Sequence, residues 1–95
     1  MALTFEWDPR KAAANVAKHG ISFDEALTVF ADPLARLETD DRHSIREERL
    51  VLLGRSTADR LLAVMFTDRG PDRVRLITAR QATRSERMQY EEARG

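Results

Sequence analysis

Cysteine is absent from this 95-residue chain, and lysine is scarce, with two residues against fourteen arginines. Without cysteine the protein has no disulfides, no thiolate nucleophile and no cysteine ligands for a metal. Nothing therefore marks a secreted scaffold stapled by disulfides, and we expect a cytoplasmic location. A chain of this length supports one modest hydrophobic core, so we expect a single domain over residues 1–95.

Long apolar runs and glycine-rich loops are missing as well. The longest apolar run, Leu61 to Phe66, is far shorter than the roughly 20 residues that a membrane helix requires. The amino terminus has no basic region followed by an apolar core, so we expect a soluble protein with no cleaved leader and no membrane partner. The four glycines are scattered, which argues against a phosphate loop and nucleotide-dependent chemistry.

Metal and serine chemistry find little support in the sequence. His19 and His43 are far apart, and the acidic pair Asp40-Asp41 stands next to an arginine in a polar segment, so no metal-binding spacing is visible. Serine hydrolysis requires a hydroxyl beside a histidine and an acid, but Ser22 and Thr83 stand where helix caps are expected. We therefore expect no metal and no cofactor.

What the chain does have is an uneven distribution of charge. Residues 1–48 carry six basic and ten acidic side chains, and residues 49–95 carry ten basic and six acidic ones, so the neutral total hides halves of −4 and +4. The stretch Arg73 to Arg87 holds five arginines and one glutamate. Because arginine matches phosphate or carboxylate oxygens two at a time, we predict that this stretch meets an anion. Solvated arginines are the plainer interpretation.

Capping signals predict two helices near the amino terminus. Asp8-Pro9 supplies a capping carboxylate followed by proline at the first helical position, and Gly20 is placed to end that helix. Ser22 and Glu25 form a capping box for a second helix. Apolar residues at i, i+3, i+4 and i+7 predict that this second helix covers residues 22–31 and faces a core.

Strand patterns predict a sheet in the rest of the chain. Phe5 to Trp7 is interpreted as a short strand. Alternating or apolar runs separated by polar turns predict four more strands, over residues 34–39, 49–55, 61–67 and 73–80. The last two connections are short enough for hairpins, so we expect an antiparallel four-stranded meander. With two helices before the meander and one after it, the fold class is α+β.

The last predicted strand has two faces because side chains alternate. Regular alternation places Arg80 on the mostly apolar face with Val74 and Leu76, and it places Arg73 and Arg75 on the opposite face. An arginine at the end of a core-facing row is unusual. We therefore interpret Arg80 as functional, and we assign Arg73 and Arg75 to solvent or a partner.

A second capping box, Thr83 and Glu86, predicts a final helix over residues 84–93. Free amide groups and the positive end of the helix dipole make such a helix start a potential anion site. The cations near it are Arg80, Arg84 and Arg87. The alternative is that Thr83 and Glu86 already satisfy the free amides.

These arginines fit metal-free cleavage of a phosphodiester bond in RNA. In that reaction a base takes the proton of the 2′-hydroxyl, cations stabilise the crowded phosphate, and an acid protonates the leaving oxygen. The candidates for proton transfer are His19, Lys18, Glu48 and Tyr90.

Each candidate has a structural alternative. Lys18 and His19 also suit the carboxyl end of a helix dipole, and Glu48 also suits the start of a strand. Tyr90 can pack the last helix against the sheet or stack on a base. Trp7, the only tryptophan, fits a core or an interface better than a platform for bases.

The segment Phe5 to Pro33, FEWDPRKAAANVAKHGISFDEALTVFADP, combines WDP, KHG, SF, EA, VF and DP at fixed spacing. Together with Gly54 to Ser56 and Arg75 to Arg94, it resembles the BrnT family over nearly the whole chain. These are toxins of bacterial type II toxin–antitoxin systems. The resemblance implies a RelE-like fold, ribonuclease activity without a metal, and neutralisation by a BrnA-type antitoxin that carries a DNA-binding domain.

The resemblance also implies which residues form the site. The polar positions that mark the family correspond here to Trp7, Lys18, His19, Glu48, Arg55, Arg80, Arg84 and Tyr90. We expect Arg55, Arg80 and Arg84 to hold the scissile phosphate, while Lys18 or His19 moves protons. The resemblance does not transfer the roles of base and acid among Lys18, His19 and Glu48. The residues expected to bind RNA are Trp7, Arg87 and Tyr90.

Two other functions remain open. The −4/+4 division of charge suits a non-catalytic module whose basic face binds an acidic protein. A DNA-binding regulator is less consistent with the sequence, because no helix-turn-helix with a basic recognition helix precedes Pro33. If the chain is a toxin, we expect operator DNA to be bound only by its complex with the antitoxin.

Overall fold

The computed structural model describes residues 3–39 and 49–94, which form three α-helices and a five-stranded sheet. In chain order the elements are β1 (Thr4–Glu6), α1 (Pro9–His19), α2 (Phe23–Leu27), a 3₁₀ turn (Thr28–Ala31), β2 (Arg36–Thr39), β3 (Leu50–Arg55), β4 (Leu61–Asp68), β5 (Arg73–Gln81) and α3 (Arg84–Arg94). The predicted α+β class is confirmed. Within these ranges, no helix is long and apolar enough to cross a membrane.

The sheet extends the predicted meander by one strand. Strands β2 to β5 pair with their sequence neighbours in antiparallel fashion, and β1 pairs with β5 in parallel. The order across the sheet is β1-β5-β4-β3-β2. The short amino-terminal strand thus becomes one edge of the sheet and β2 the other. Strand β1 ends at Glu6. Trp7 was predicted to be part of this strand but lies just outside it.

Local capping explains where α1 begins and ends. The Asp8 carboxylate accepts a hydrogen bond from the Arg10 amide at 2.8 Å, and Pro9 occupies the first turn. Gly20 ends the helix with φ of 71°, a left-handed conformation that glycine adopts without steric cost. The predicted limits of this helix are confirmed.

The second helix is shorter than its apolar pattern predicted. Ser22 accepts a hydrogen bond from the Glu25 amide at 3.0 Å, which starts α2 as expected. The helix then tightens into the 3₁₀ turn that ends at Ala31. The Glu25 carboxylate accepts from Arg60 Nε at 2.9 Å and from Ser56 Oγ at 2.7 Å. It therefore ties α2 to the β3–β4 hairpin.

Two faces of the sheet carry different side chains. Helices α1 and α2 and the 3₁₀ turn pack on one, the helix face, and bury the main core there. Its buried members are Ile21, Phe23, Ala26, Val29, Leu52, Leu62, Val64, Phe66, Val74, Leu76 and Ala79. On the other side, the α3 face, Tyr90 of α3 packs with Leu53, Leu61 and Ala63.

The buried side-chain amide of Asn15 covers the edge of β5 beyond the end of β1. Strand β1 pairs only with Arg73 to Arg75. Further along, Asn15 of α1 donates to the Ala79 carbonyl at 2.8 Å and accepts from the Ala79 amide at 3.0 Å. The same side-chain nitrogen donates to the Ile21 carbonyl at 2.9 Å. Asn15 thus takes the place of a neighbouring strand and holds α1 against the sheet.

We expect neutralising Glu25 to weaken the protein in a pH-dependent way. The hydrogen bond from Arg60 lowers the pKa of Glu25 from its ordinary value of 4.5. Because the folded protein binds this proton less tightly than the unfolded chain, the stabilisation is fully present above about pH 4.5 and falls as the pH drops through the lower folded-state pKa. Glu25→Gln should lower the urea midpoint at pH 7 and have a smaller effect near pH 3.

The matched control is Asp24→Asn, which removes a charge from an exposed neighbour on the same helix. It should change the urea midpoint little at either pH. An equal loss of stability for Glu25→Gln at both pH values would contradict the role given to its charge.

Candidate functional site

A β-bulge at Ile77 decides which residues of β5 lie on which face. Leu76 and Thr78 pair with consecutive residues of β4, so Ile77 is the extra residue. Beyond the bulge, Ala79 is buried in the helix-face core, and Arg80 pairs with a residue of the α3 face. The prediction that Arg80 projects from the apolar face is wrong, because it assumed unbroken alternation along the strand.

The bulge also places Arg73 and Arg75 on the same face as Arg80. Glu6 of β1 pairs with Arg75 in the sheet, and its carboxylate contacts Nε of Arg73 at 3.2 Å and Nη1 of Arg75 at 2.9 Å. Arg75 in turn pairs with Thr67, an α3-face residue of β4. The predicted separation of Arg73 and Arg75 from Arg80 is therefore wrong for the same reason.

Arg80 reaches the start of α3, where it meets a complete capping box. Its Nη1 and Nη2 atoms donate to Oε1 and Oε2 of Glu86 at 2.7 and 3.0 Å. The Thr83 amide donates to Oε1 of Glu86 at 2.8 Å, and the Glu86 amide donates to the Thr83 hydroxyl at 3.1 Å. The hydrogen bonds from Arg80 lower the pKa of Glu86, so this carboxylate is charged at neutral pH. The predicted capping box is confirmed.

The capping box of Thr83 and Glu86 leaves fewer free amides at the start of α3 than the predicted anion site assumed. Two amides there already have side-chain partners, as the alternative interpretation expected, and the Arg80 guanidinium is held by a carboxylate. Arg84 and Arg87 are exposed on the first two turns of α3. An anion at this position would therefore meet Arg80 as a pre-oriented cation, with the exposed arginines beside it.

A second cationic position lies where Tyr90 of α3 meets the end of β3, beside a cavity of about 310 Å³. Arg55, Asp32, Ser56 and Tyr90 contribute to its lining. The Arg55 guanidinium lies 5.7 Å from the centre of the Tyr90 ring, within the range of a cation–π contact. The Tyr90 hydroxyl donates to Asp32 Oδ2 at 2.7 Å.

Asp32 joins three chain segments in this cluster. Its carboxylate accepts from the Arg55 amide at 2.8 Å, from the Tyr90 hydroxyl and, at 2.9 Å, from the Leu34 amide. Burial alone would raise the pKa of Asp32, but these hydrogen bonds and the Arg55 charge outweigh it and lower the pKa. Asp32 is therefore ionised at neutral pH and fixes the backbone that carries Arg55.

Tyr90 has little surface left for RNA. Its side chain is 2% exposed, and burial together with the bond to Asp32 raises the pKa of its phenol. The hydroxyl thus stays protonated at neutral pH, which does not suit a general base. The predicted stacking on a base does not fit this burial, whereas packing of α3 against the sheet, the alternative interpretation, does.

Lys18 and His19 line a third position, a cavity of about 250 Å³ between α1 and β5. The chain's other lysine, Lys11, also lines it, as do Ile77 and Thr78 of the bulged segment. Thr78 is two residues before Arg80 and on the same face. The cavity of Lys18 and His19 therefore borders β5 two residues before Arg80.

The predicted site residues thus form neighbouring groups rather than one cluster. Arg55 and Arg80 share the α3 face, and the strand spacing and a two-residue offset put their Cα atoms roughly 12 Å apart. Trp7 lies with the core instead, where its ring packs edge-on against Phe23 at 5.7 Å between ring centres. Glu48 lies outside the described residues.

Sequence reasoning missed two acidic residues of this surface. Asp32 was not among the predicted site residues, although an aspartate followed by a turn commonly accepts from the amide two residues on. The Leu34 amide is that donor. Glu6 carries no local signal, because its partners Arg73 and Arg75 come from the far end of the chain.

The comparison with protein families decides what kind of protein carries this surface. The family model described as the ribonuclease toxin BrnT of type II toxin–antitoxin systems matches residues 7–86. The chain belongs to the BrnT family. The predicted recognition is confirmed, and a BrnT chain is a ribonuclease toxin of a type II toxin–antitoxin system.

A solved BrnT structure shares the fold. The 1.1 Å crystal structure of the Brucella abortus ribonuclease toxin BrnT is similar with a TM-score of 0.66 and 24% sequence identity, over 87% of this chain and 100% of that one. None of the curated proteins matches this chain. Across residues 3–39 and 49–94 of this BrnT-family chain, no group of three or more histidines, aspartates and glutamates is placed to hold a metal.

Proposed function

We propose that residues 1–95 form a single RelE-like toxin domain that cleaves RNA without a metal ion and thereby arrests growth in the bacterial cytoplasm. A BrnA-type antitoxin neutralises it, and operator DNA is bound only by the complex of the two proteins. The observation that carries this proposal is the bulged strand β5. It holds Arg80 on the α3 face and, two residues earlier, borders the cavity of Lys18 and His19.

The reaction uses the substrate's own 2′-hydroxyl as the nucleophile. A base removes its proton, the 2′-oxygen forms a bond to phosphorus, and the bond from phosphorus to the 5′-oxygen breaks as an acid protonates that oxygen. The products are a 2′,3′-cyclic phosphate and a 5′-hydroxyl. His19 and Lys18 are our candidates for the proton transfers, and Glu48 remains a further candidate.

Arginine supplies the charge that this reaction needs. Negative charge accumulates on the non-bridging phosphate oxygens in the transition state, and fixed cations stabilise it without reorganising. In our proposal Arg80 binds those oxygens and Arg84 assists. Glu86 orients Arg80 through the paired hydrogen bonds at 2.7 and 3.0 Å, so the guanidinium is held in place before the substrate arrives.

The remaining predicted residues take supporting roles in this proposal. Arg55, roughly 12 Å from Arg80 by strand geometry, holds a different phosphate of the RNA rather than the scissile one. Arg87, exposed on α3, adds charge near the RNA. Tyr90 and Trp7 act through packing, since one is buried and the other contacts the core.

We expect the purified, antitoxin-free chain to cleave RNA equally well in EDTA and in magnesium. Arginine and lysine cations replace the metal in this proposal, so chelation removes nothing that the reaction needs. RNA fragments should carry 2′,3′-cyclic phosphate ends, which can be identified by mass spectrometry. RNA with 2′-O-methyl groups serves as the control and should stay intact.

Two outcomes would contradict the proposal. Cleavage that stops in EDTA and returns with magnesium would assign the reaction to a metal. Intact RNA under both conditions, combined with tight binding of an acidic protein partner, would favour the alternative of a non-catalytic binding module.

A further inference from the structure

We propose that Arg73 and Arg75 form a phosphate-binding subsite, so that a single strand of RNA lies along β5 on the α3 face and continues from this subsite to Arg80. The subsite rests on the proposed ribonuclease function, because it concerns the RNA beyond the scissile phosphate. It uses the face assignment that the bulge at Ile77 creates.

The geometry of β5 forms a line of cations. Same-face neighbours on a strand are about 7 Å apart, as Arg73 and Arg75 are, a spacing close to that of successive phosphates along an extended nucleic-acid strand. Arg75 pairs with Thr67 of β4, and Arg80 pairs with Ala63, four residues away on the same strand. The distance from Arg75 to Arg80 is therefore about 14 Å, or twice the spacing between same-face neighbours. The three arginines thus follow one row along the same face of β5.

The exposure of these side chains leaves room for a ligand. The Arg73 side chain is 60% exposed and that of Arg75 is 34% exposed. Helix α3 packs on Leu53, Leu61 and Ala63 at the opposite end of the same face. The RNA strand would therefore run from Arg73 toward the start of α3.

Charge on this face favours an anion. Among the strand residues whose register places them on the α3 face, five are arginines and two are glutamates. The arginines are Arg36, Arg55, Arg73, Arg75 and Arg80, and the glutamates are Glu6 and Glu38. Arg73 and Arg75 share the single carboxylate of Glu6, so this group of three keeps a net charge of +1. Glu6 orients the two guanidinium groups and also limits their attraction for RNA.

A single strand fits this row better than a duplex or an acidic protein. A duplex presents two phosphate rows across a groove and is recognised over both of them, whereas β5 offers one row. An acidic protein does not require cations at a regular spacing. An extended single strand does, and basic surfaces that follow its backbone are its usual mode of recognition.

The subsite can be tested by binding that does not depend on cleavage. The probe is a fluorescent, single-stranded twelve-nucleotide RNA with 2′-O-methyl groups, titrated with the purified antitoxin-free chain over a range of salt. Arg73→Gln/Arg75→Gln should weaken binding about tenfold and reduce the slope of log K against log salt by about 1.4, the equivalent of two single-strand phosphate contacts. Glu6→Gln should tighten binding several-fold.

Two further variants separate the subsite from effects on folding. Arg73→Gln alone changes the more exposed residue and should show about half of the change in slope. Arg10→Gln removes an exposed arginine on α1 and should leave binding unchanged. With probes of three to twelve nucleotides, the wild type should gain affinity with length, and the double variant should lose most of that gain.

The results distinguish the subsite from the proposed function. Unchanged affinity and salt slope in the double variant would overturn the subsite even if the wild type cleaves RNA. Loss of antitoxin binding with unchanged RNA binding would assign the row to a protein partner and also overturn it. Weakened RNA binding in a chain that never cleaves RNA would support the subsite and count against the ribonuclease proposal.

Discussion

Replacing Arg80 by alanine is expected to slow RNA cleavage by about 100- to 1,000-fold, the loss typical when one preorganised donor to the reacting oxyanion is removed. Arg80 is the predicted phosphate ligand that the structure holds most firmly, through two hydrogen bonds to Glu86. Its interaction strengthens as charge develops on the phosphate, so the rate constant should fall more than the affinity for RNA. Single-turnover cleavage of a defined RNA measures both.

The controls separate chemistry from packing. Arg80→Lys keeps the charge but loses the planar fork, and it should recover only part of the rate. Arg10→Ala removes an exposed arginine on α1 and should cleave like the wild type. Because Arg80→Ala leaves Glu86 without this partner, Arg80→Ala/Glu86→Gln should be compared as well. Wild-type cleavage by a folded Arg80→Ala chain would remove Arg80 from the proposed mechanism.

Replacing Asn15 by leucine is expected to destabilise the protein by about 3 to 5 kcal/mol. The side chains are similar in volume, but leucine leaves the amide and carbonyl of Ala79 and the carbonyl of Ile21 without the partners that Asn15 supplies. Ala79 and Ile21 are fully buried, so water cannot easily replace the lost hydrogen bonds. The free energy of unfolding from urea titration measures the loss, which would be a large fraction of the stability of an ordinary domain.

A substitution on the same helix provides the comparison. Val16→Ala changes a half-exposed residue and should cost about 1 kcal/mol or less. Asn15→Asp should be destabilised at neutral pH, because an ionised carboxylate cannot donate to the two carbonyls, and it should recover in part under acidic conditions that protonate it. Equal stability of Asn15→Leu and Val16→Ala would show that the edge of β5 does not depend on this amide.

Local signals predicted the helices well because their causes are local. A helix cap needs a side-chain acceptor within a few residues of the amides that it satisfies. Asp8 is that acceptor for α1, and Thr83 and Glu86 are the acceptors for α3. The capping box of α2 is the exception. Glu25 has the spacing of a capping box, but a distant arginine, Arg60, binds its carboxylate instead.

The register of β5 could not be predicted from the sequence because its cause is not local. Alternation predicts faces correctly only while each residue has one partner, and the bulge at Ile77 adds a residue without changing the apolar character of the strand. Ala79, a small residue, then fits the core beside α1, and Arg80 moves to the opposite face. The residue types around the bulge are compatible with either register.

By itself the sequence determined the α+β class, the helix starts, the strand order of the meander and the family, since these depend on patterns over short spans and on fixed spacing of motifs. It also placed arginine, rather than a metal or a thiolate, at the centre of the expected chemistry. Only the tertiary structure decided that Arg73, Arg75 and Arg80 share one face, that Glu86 and Glu6 hold them, and that Tyr90 is buried. Those facts depend on the register of the sheet and on the packing of α3 against it, and neither is encoded by a single strand or helix.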